Sequence, residues 1–273
     1  MIPDPRDPGL ISSIPEIRRA RGYRLYDRAG RRFLDLWQGH GSAILGHRAS
    51  GVSTLMKGVI SRGLTADLPS GGRRALQREL RELLPTHPHA RLYGSLEGCL
   101  EALSRLRGSP VRAADIHDPA VPGGEAEPEI AAWRPGAPPG SWERSRVLVP
   151  VLPFSLGGAP WAACFREEPP LESQLVSELV LAPAARSLRA LRRYPPGSAG
   201  AALQSLGLGR WMVSGIYVSP AFDRGAYPAV FLAFLAGGVI LSPRFEAPSI
   251  LPAELSPGEL AALVGLFRAN PLE

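Results

Sequence analysis

Lysine and cysteine, the side chains that form Schiff bases and reactive thiolates, are rare in this 273-residue chain. Lys57 is the only lysine, so it alone could form a Schiff base with a carbonyl group. It lies in STLMKGVISRG, a stretch that predicts an amphipathic helix over about residues 53–62. The two cysteines, Cys99 and Cys164, fall in apolar helical or strand-like settings that favour buried free thiols.

The histidines predict no metal site. Two of the five, His87 and His89, form a close pair in the Pro-rich stretch LPTHPHA, which we interpret as a loop. Ser95, His40 and Asp115 are the residue types of a catalytic triad, but nothing in the sequence places them together.

One turn has the shape of an active-site turn but lacks reactive groups. In VLPFSLGGAPWAACFR, residues 151–166, two apolar runs flank a Gly-Gly turn and a proline, and only Ser155 and Cys164 carry a nucleophile. A simple folding role, in which the turn connects two buried strands, is the alternative.

Composition excludes several classes of protein. A hydrophobic content of 45% with 21% charged residues is typical of a globular protein with a full core. The longest apolar run, residues 229–241, is too short to span a bilayer, and the N-terminus lacks a signal-peptide pattern, so we expect a cytoplasmic protein without a membrane partner. The net charge of +6 comes from scattered arginines, so no nucleic-acid partner is expected.

Alternating strands and helices predict an α/β fold. YRLYDRAGRRFLDL, residues 23–36, predicts a hairpin that turns at residues 28–30, and residues 1–20 predict an arm. Ser256, Pro257 and Glu259 mark the start of the last helix. Residues 108–142, rich in Pro and Gly, predict a long loop. Other predicted helices are 73–84, 96–106, 175–193 (interrupted or kinked at Pro183), 199–206 and 227–236, and predicted strands are 91–94, 146–153, 161–165, 211–218 and 238–241.

Three of these stretches together resemble the class III aminotransferases, which are pyridoxal-phosphate (PLP) enzymes of fold type I, and among them the glutamate semialdehyde aminomutase branch. They are GYRLYDRAGRRFLDLWQGHGSAILGHR (residues 22–48), ARLYGSLEGCLEALSRLR (90–107) and YPAVFLAFLAGGVILSPRFEAPSILPAELSPGELAALVGLF (227–267). The resemblance implies a reduced fold type I large domain with a smaller α+β domain built from both chain ends. The implied division is an N-terminal arm and hairpin over residues 1–48, a reduced α/β large domain over 49–193 and a C-terminal α+β small domain over 194–273.

The resemblance also assigns site residues. Gly94, Ser95 and Leu96 match the turn that holds the cofactor phosphate, although Ser95 as a plain helix N-cap is the alternative. The lysine that binds the cofactor would sit at Pro153 or Phe154, neither of which can form a Schiff base.

Further residues match the substrate side of the family's site. Trp37 and His40 match its substrate-side loop, with core packing as the alternative, and Arg244 could meet a substrate carboxylate or lie at the surface. In the family, a segment that is missing from this chain holds the aspartate that pairs with the pyridine nitrogen of the cofactor. Asp115 and Asp118 are the only acids near the start of this gap, and nothing in their sequence context marks either as that partner.

These implications predict a catalytically silent homologue that acts as a homodimeric scaffold or regulatory partner, with an intact aminotransferase as one candidate partner. The expected cofactor is none, or PLP held without a covalent bond. A noncovalent binder of PLP or of another phosphorylated small molecule is the alternative. Residual aminotransferase activity is a second alternative, which would require Lys57 to lie in the pocket.

Overall fold

The computed structural model describes residues 10–47, 49–121, 127–154, 156, 159–194, 199–205 and 209–269. The strands are β1 Ile17–Arg21, β2 Arg24–Asp27, β3 Arg32–Asp35, β4 His89–Tyr93, β5 Ile130–Trp133, β6 Val147–Pro150, β7 Trp161–Phe165, β8 Trp211–Ser214, β9 Tyr217–Pro220, β10 Val239–Ile240 and β11 Ser249–Ile250. The α-helices are α1 Val52–Ser61, α2 Gly71–Leu83, α3 Leu96–Arg107, α4 Glu178–Leu191, α5 Ala199–Gln204, α6 Tyr227–Ala236 and α7 Pro257–Arg268.

A four-stranded sheet of order β4-β7-β6-β5 forms the centre of the fold. Strands β5 and β6 run parallel, and β7 runs antiparallel to both of its neighbours. All four residues of β6 are buried, as expected of a strand that is covered on both faces. Leu148 packs in the cluster that contains α2 and α4, whereas Val147 and Val149 pack with α3. The helices therefore lie on opposite faces of this sheet.

The two chain ends meet in a second sheet. Its order is β1-β2-β3-β10, and β10 pairs parallel to β3 with Val239 opposite Leu34. Arg24 on β2 donates to both carboxylate oxygens of Glu259, at 3.0 and 2.6 Å. Glu259 also accepts from the backbone N–H of Ser256, which completes the predicted N-terminal cap of α7. The third sheet, of order β11-β9-β8, is also built from the C-terminal part of the chain.

Most of the predicted elements are confirmed, including the 23–36 hairpin, now β2 and β3, and the strand at residues 161–165. Three predictions are wrong. The predicted loop over residues 108–142 contains β5, which pairs along its whole length with β6. The strand predicted over residues 211–218 is the hairpin of β8 and β9, and it turns at Gly215 with a φ of +61°. The predicted N-terminal arm contains β1, which pairs with β2.

The sequence predicted that the helix over residues 175–193 is interrupted or kinked at Pro183. Helix α4 continues through Pro183 without interruption. None of the helices in the described ranges is long and apolar enough to cross a membrane. The division into domains at residues 48 and 193 remains a prediction.

Candidate functional site

A cavity of about 210 Å³ lies at the carboxyl ends of β5 and β6. Because these two strands are parallel, the segments that follow them meet at one edge of the central sheet, where open α/β sheets commonly bind ligands. The segment after β6 and the loop that follows β3 enclose the space. The lining residues are Gly39, His40, Ser42, Arg134, Pro150, Val151, Leu152, Phe154, Ala159, Pro160 and Trp161.

The charged group in the cavity wall is Arg134, directly after β5. Its Nε and Nη2 donate to the two oxygens of Asp118 at 2.7 and 2.6 Å, and its Nη1 donates to the carbonyl oxygen of His40 at 2.7 Å. Both side chains of the ion pair are at most 1% exposed. Burial alone would raise the pKa of Asp118, but the charge and hydrogen bonds of Arg134 lower it, so the pair is ionised.

The loop after β3 has an unusual backbone. Gln38, Gly39, His40 and Gly41 all have positive φ, from +48° to +108°. For Gln38 and His40 this conformation is strained and costs on the order of 1 kcal/mol each. Asp35 holds the loop in place, because its Oδ1 accepts from the backbone N–H groups of Trp37 and Gln38 at 2.9 Å each. Strain fixed in this way is common at functional sites.

The imidazole of His40 lies in the cavity wall. Within the described residues, no hydrogen bond holds either ring nitrogen, and Nδ1 is buried. The pKa of His40 is lowered from 6.5 to about 3, mainly by burial and then by the charges of Arg134 and Arg244, against a smaller opposite effect of Asp118. The ring is therefore neutral near pH 7. Trp37 packs edge-on against it, with ring centroids 5.7 Å apart.

Of the three residues that the resemblance places on the substrate side, His40 lines the cavity, whereas Trp37 and Arg244 are not part of its lining. Trp37 contacts His40, and Arg244 is close enough to lower the pKa of His40. Sequence reasoning did not single out Arg134, because it falls within the stretch predicted to be a loop. The apolar run Ile130–Trp133 just before it is the signal that could have indicated a buried strand.

The predicted phosphate turn lies outside this cavity, and the chain's own side chains occupy it. Ser95 Oγ accepts from the backbone N–H of Gly98 at 3.1 Å, which is the helix-cap alternative. Gln174 Oε1 accepts from the backbone N–H of Gly94 at 3.2 Å, and the backbone N–H of Gln174 donates to the carbonyl of Leu92 at 2.8 Å. Gln174 is a second residue that sequence reasoning missed.

No lysine lines the described cavity. Lys57 is exposed on α1, as the resemblance implied, and does not contribute to the wall. Pro153 and Phe154, at the predicted lysine position, are buried, and Phe154 lines the cavity. Of the turn that follows, Ser155, Gly157 and Gly158 lie outside the described residues.

The other candidate groups lie apart from the cavity or are inert. Asp115 pairs with Arg107 and Arg112, each at 3.5 Å, so it does not join Ser95 and His40 in a triad. Both cysteines are buried free thiols, and burial raises the pKa of Cys99 to about 12. Among the described residues, no group of three or more His, Cys, Asp or Glu side chains could hold a metal ion.

Comparison with known proteins places the fold. No protein-family profile matches the chain. Solved structures match it over nearly its whole length: an ornithine aminotransferase from Plasmodium yoelii (TM-score 0.70, 13% identity, 97% of this chain and 94% of that one) and an omega-transaminase from Sphaerobacter thermophilus (TM-score 0.66, 13% identity, 93% and 90%). This chain has the aminotransferase fold. The predicted α/β class of fold type I is therefore confirmed.

Several proteins are similar to this chain in sequence. An uncharacterized protein from Treponema pallidum (strain Nichols) is 26% identical over 300 aligned positions, which cover 89% of this chain and 91% of that protein. One from Borreliella burgdorferi is 25% identical over 92% of this chain and 89% of that protein. A glutamate-1-semialdehyde 2,1-aminomutase from Syntrophus aciditrophicus is 32% identical over 100 residues, which cover only 36% of this chain and 23% of that enzyme.

Proposed function

We propose that this protein is a catalytically silent relative of the PLP-dependent aminotransferases that acts as a homodimeric scaffold or regulatory partner. The observation that carries the proposal is the position of Lys57. A Schiff base requires a lysine amine beside the reacting carbonyl, and the chain's only lysine is exposed on α1, outside the cavity wall.

The residues around the cavity do not fit PLP. Asp118 is bonded to Arg134 through both oxygens and is not part of the cavity lining, so it does not offer a carboxylate to a pyridine nitrogen held there. The charged side chain in the wall is the cation Arg134, which would repel a protonated ring nitrogen. Gln174 takes the backbone N–H of Gly94 that a phosphate would use. We therefore derive no chemical step through this cofactor.

The scaffold part of the proposal is supported by the chain ends. In the resembled family these segments pack across the subunit interface, and here they form an intact sheet in which β10 joins the N-terminal hairpin. Large apolar side chains remain exposed near α1, with Ile60 at 53% and Leu68 at 52%. Such side chains are available for burial against a second subunit.

Noncovalent binding of PLP, or of another phosphorylated molecule, at Gly94, Ser95 and Leu96 is a second candidate. It is favoured by the position of this turn at the N-terminus of the 12-residue helix α3, where the helix dipole attracts an anion. This candidate requires the Gln174 side chain to leave the turn.

One titration separates these candidates. The purified protein and a Lys57→Arg variant are mixed with PLP, their visible spectra are recorded, and their masses are measured after borohydride reduction. We expect no mass gain in either protein. A reduced PLP adduct on Lys57 of the wild type would overturn the proposal and support residual aminotransferase activity.

The remaining outcomes are equally informative. A saturable spectral change without a mass gain would support the noncovalent candidate. Light scattering after size exclusion tests the scaffold separately, with an expected mass of twice the 29.2 kDa chain. A strict monomer would contradict the homodimer.

A further inference from the structure

We propose that the cavity between the loop after β3 and the segment after β6 binds, without a covalent bond, a small molecule that has one carboxylate and an apolar body. This ligand site goes beyond the scaffold role and does not depend on it. Arg134 and His40 provide the polar contacts, the wall around them is mostly apolar, and the space has the size of such a molecule.

Arg134 has hydrogen-bond donors for which the described residues provide no acceptor. A guanidinium has five N–H groups, and within the described part of the chain three of them bond Asp118 and the carbonyl of His40. Two N–H groups therefore remain on a side chain that lines the cavity and is 1% exposed. A carboxylate is the acceptor that best matches two donors on one planar group.

His40 supplies a second polar contact. Its imidazole is held by no hydrogen bond within the described residues, and the strained loop keeps it in the wall. Burial and the Arg134 guanidinium hold the pKa of this ring low, so the ring is neutral and can donate one hydrogen bond to a carboxylate.

Apart from Ser42, whose hydroxyl donates to the carbonyl oxygen of Gly39 at 2.9 Å, the rest of the wall is formed mainly by apolar side chains. Proline, aliphatic and aromatic side chains from the segments that flank β6 and β7 provide it, including Val151, Phe154 and Trp161. A water molecule occupies about 30 Å³ of liquid, so 210 Å³ accommodates on the order of seven to ten non-hydrogen atoms. Benzoate has this size and this division between a charged end and an apolar body.

The first experiment is calorimetric titration of the full chain with four probes: benzoate, benzyl alcohol, benzylamine and inorganic phosphate. We expect benzoate to bind at least about tenfold more tightly than each of the others, with a Kd in the micromolar to millimolar range. Equal binding of benzyl alcohol would show that the carboxylate is not recognised. Tighter binding of phosphate, or no binding of benzoate, would also overturn the proposal.

Variants then locate the binding. Ala159→Phe fills the cavity and is expected to abolish benzoate binding. Asp118→Asn combined with Arg134→Met removes both buried charges together and is expected to weaken it at least about tenfold. Arg189→Met removes an arginine from the α2–α4 contact, outside the cavity, and is the matched control.

A second variant tests the site with a substitution that is expected to leave the fold intact. His40→Asn keeps a residue type that tolerates positive φ, and it is expected to weaken benzoate binding while the circular dichroism spectrum stays unchanged. Unchanged benzoate binding in folded Ala159→Phe, or in folded His40→Asn, would show that benzoate binds elsewhere. Because the oligomeric state is measured independently, failure of this site is distinguishable from failure of the scaffold proposal.

Discussion

Two carboxylates are buried beside arginines in this protein, and their surroundings differ. Asp118 and Arg134 are both at most 1% exposed, and Arg134 lines the cavity. Glu79, on α2, is 2% exposed, but its partners Arg189 and Arg192 on α4 are 45% and 34% exposed. The second cluster lies between two helices with its cations in water, whereas the first has both charges removed from water.

The exposure of the arginines decides how each cluster affects the stability of the fold. Arginines in contact with water keep most of their hydration, so the Glu79 cluster joins α2 to α4 at little cost. Removing both partners of an ion pair from water costs several kcal/mol per charge, which their attraction only offsets when the geometry is good. The Asp118–Arg134 pair therefore has no advantage for folding over apolar residues, which agrees with a role in ligand binding.

The largest expected effect comes from breaking the buried pair. Arg134→Met leaves the Asp118 carboxylate buried, with the backbone N–H of Ala120 as its one remaining donor among the described residues, so we expect the free energy of unfolding to fall by about 3–5 kcal/mol. Adding Asp118→Asn, which keeps that acceptor, should restore stability to within about 1 kcal/mol of the wild type. Urea denaturation at pH 7 measures both, and a double variant as unstable as the single one would contradict this account.

The next effect concerns His40 and pH. Its folded pKa of about 3 lies below the unfolded value of 6.5, so the unfolded chain binds the proton more tightly, and stability is lost as the pH falls from 6.5 toward 3. Between pH 6.5 and 4.5 this one group should remove about 2–3 kcal/mol.

The His40→Asn variant isolates that contribution. The difference in unfolding free energy between wild type and variant should change by this amount over pH 6.5 to 4.5 and stay constant above pH 7.5. A difference independent of pH throughout would show that His40 is not desolvated in the cavity wall.

A smaller effect is expected at the helix cluster. Burial raises the pKa of Glu79, but its hydrogen bond to Arg189 and the charges of both arginines lower it overall, so its contribution is present above pH 4.5 and lost at lower pH. Glu79→Gln should cost about 1–2 kcal/mol at pH 7 and less in 1 M NaCl. An effect as large and as independent of salt as that of Arg134→Met would remove the distinction between the clusters.

The smallest effect is expected at the turn before α3. Gln174→Ala removes the acceptor of the Gly94 N–H and should cost about 1 kcal/mol, since that N–H can bond water instead. Thermal unfolding measures the loss. Phosphate should then stabilise the variant more than the wild type only if this turn is an anion site, so equal stabilisation would exclude the second candidate function.

Local signals in the sequence predicted much of the fold. Ser256 and Glu259 marked the start of α7, and the alternation around Gly30 marked the first hairpin, because caps and tight turns depend on neighbouring residues. Strand β5 was missed because its four residues lie between Pro- and Gly-rich segments, and its partner β6 follows only after a further turn.

The site was less accessible to such reasoning. Trp37 and His40 were found through resemblance, but the contact of Arg134 with Asp118 and with His40 joins three segments far apart in sequence. Gln174 reaches its turn from 80 residues away, and no local pattern records that distance. Tertiary contacts of this kind are specified by the whole fold.

The parallel pairing of β3 with β10 also constrains the order of events during translation. Leu34 lies opposite Val239, so the edge of the N-terminal hairpin stays open until about 200 further residues have left the ribosome. At about 5–20 residues per second, that delay is roughly 10–40 seconds. The first hairpin to be synthesised is thus among the last elements to be completed, and through that interval it presents an unpaired strand edge for which the nascent chain needs protection.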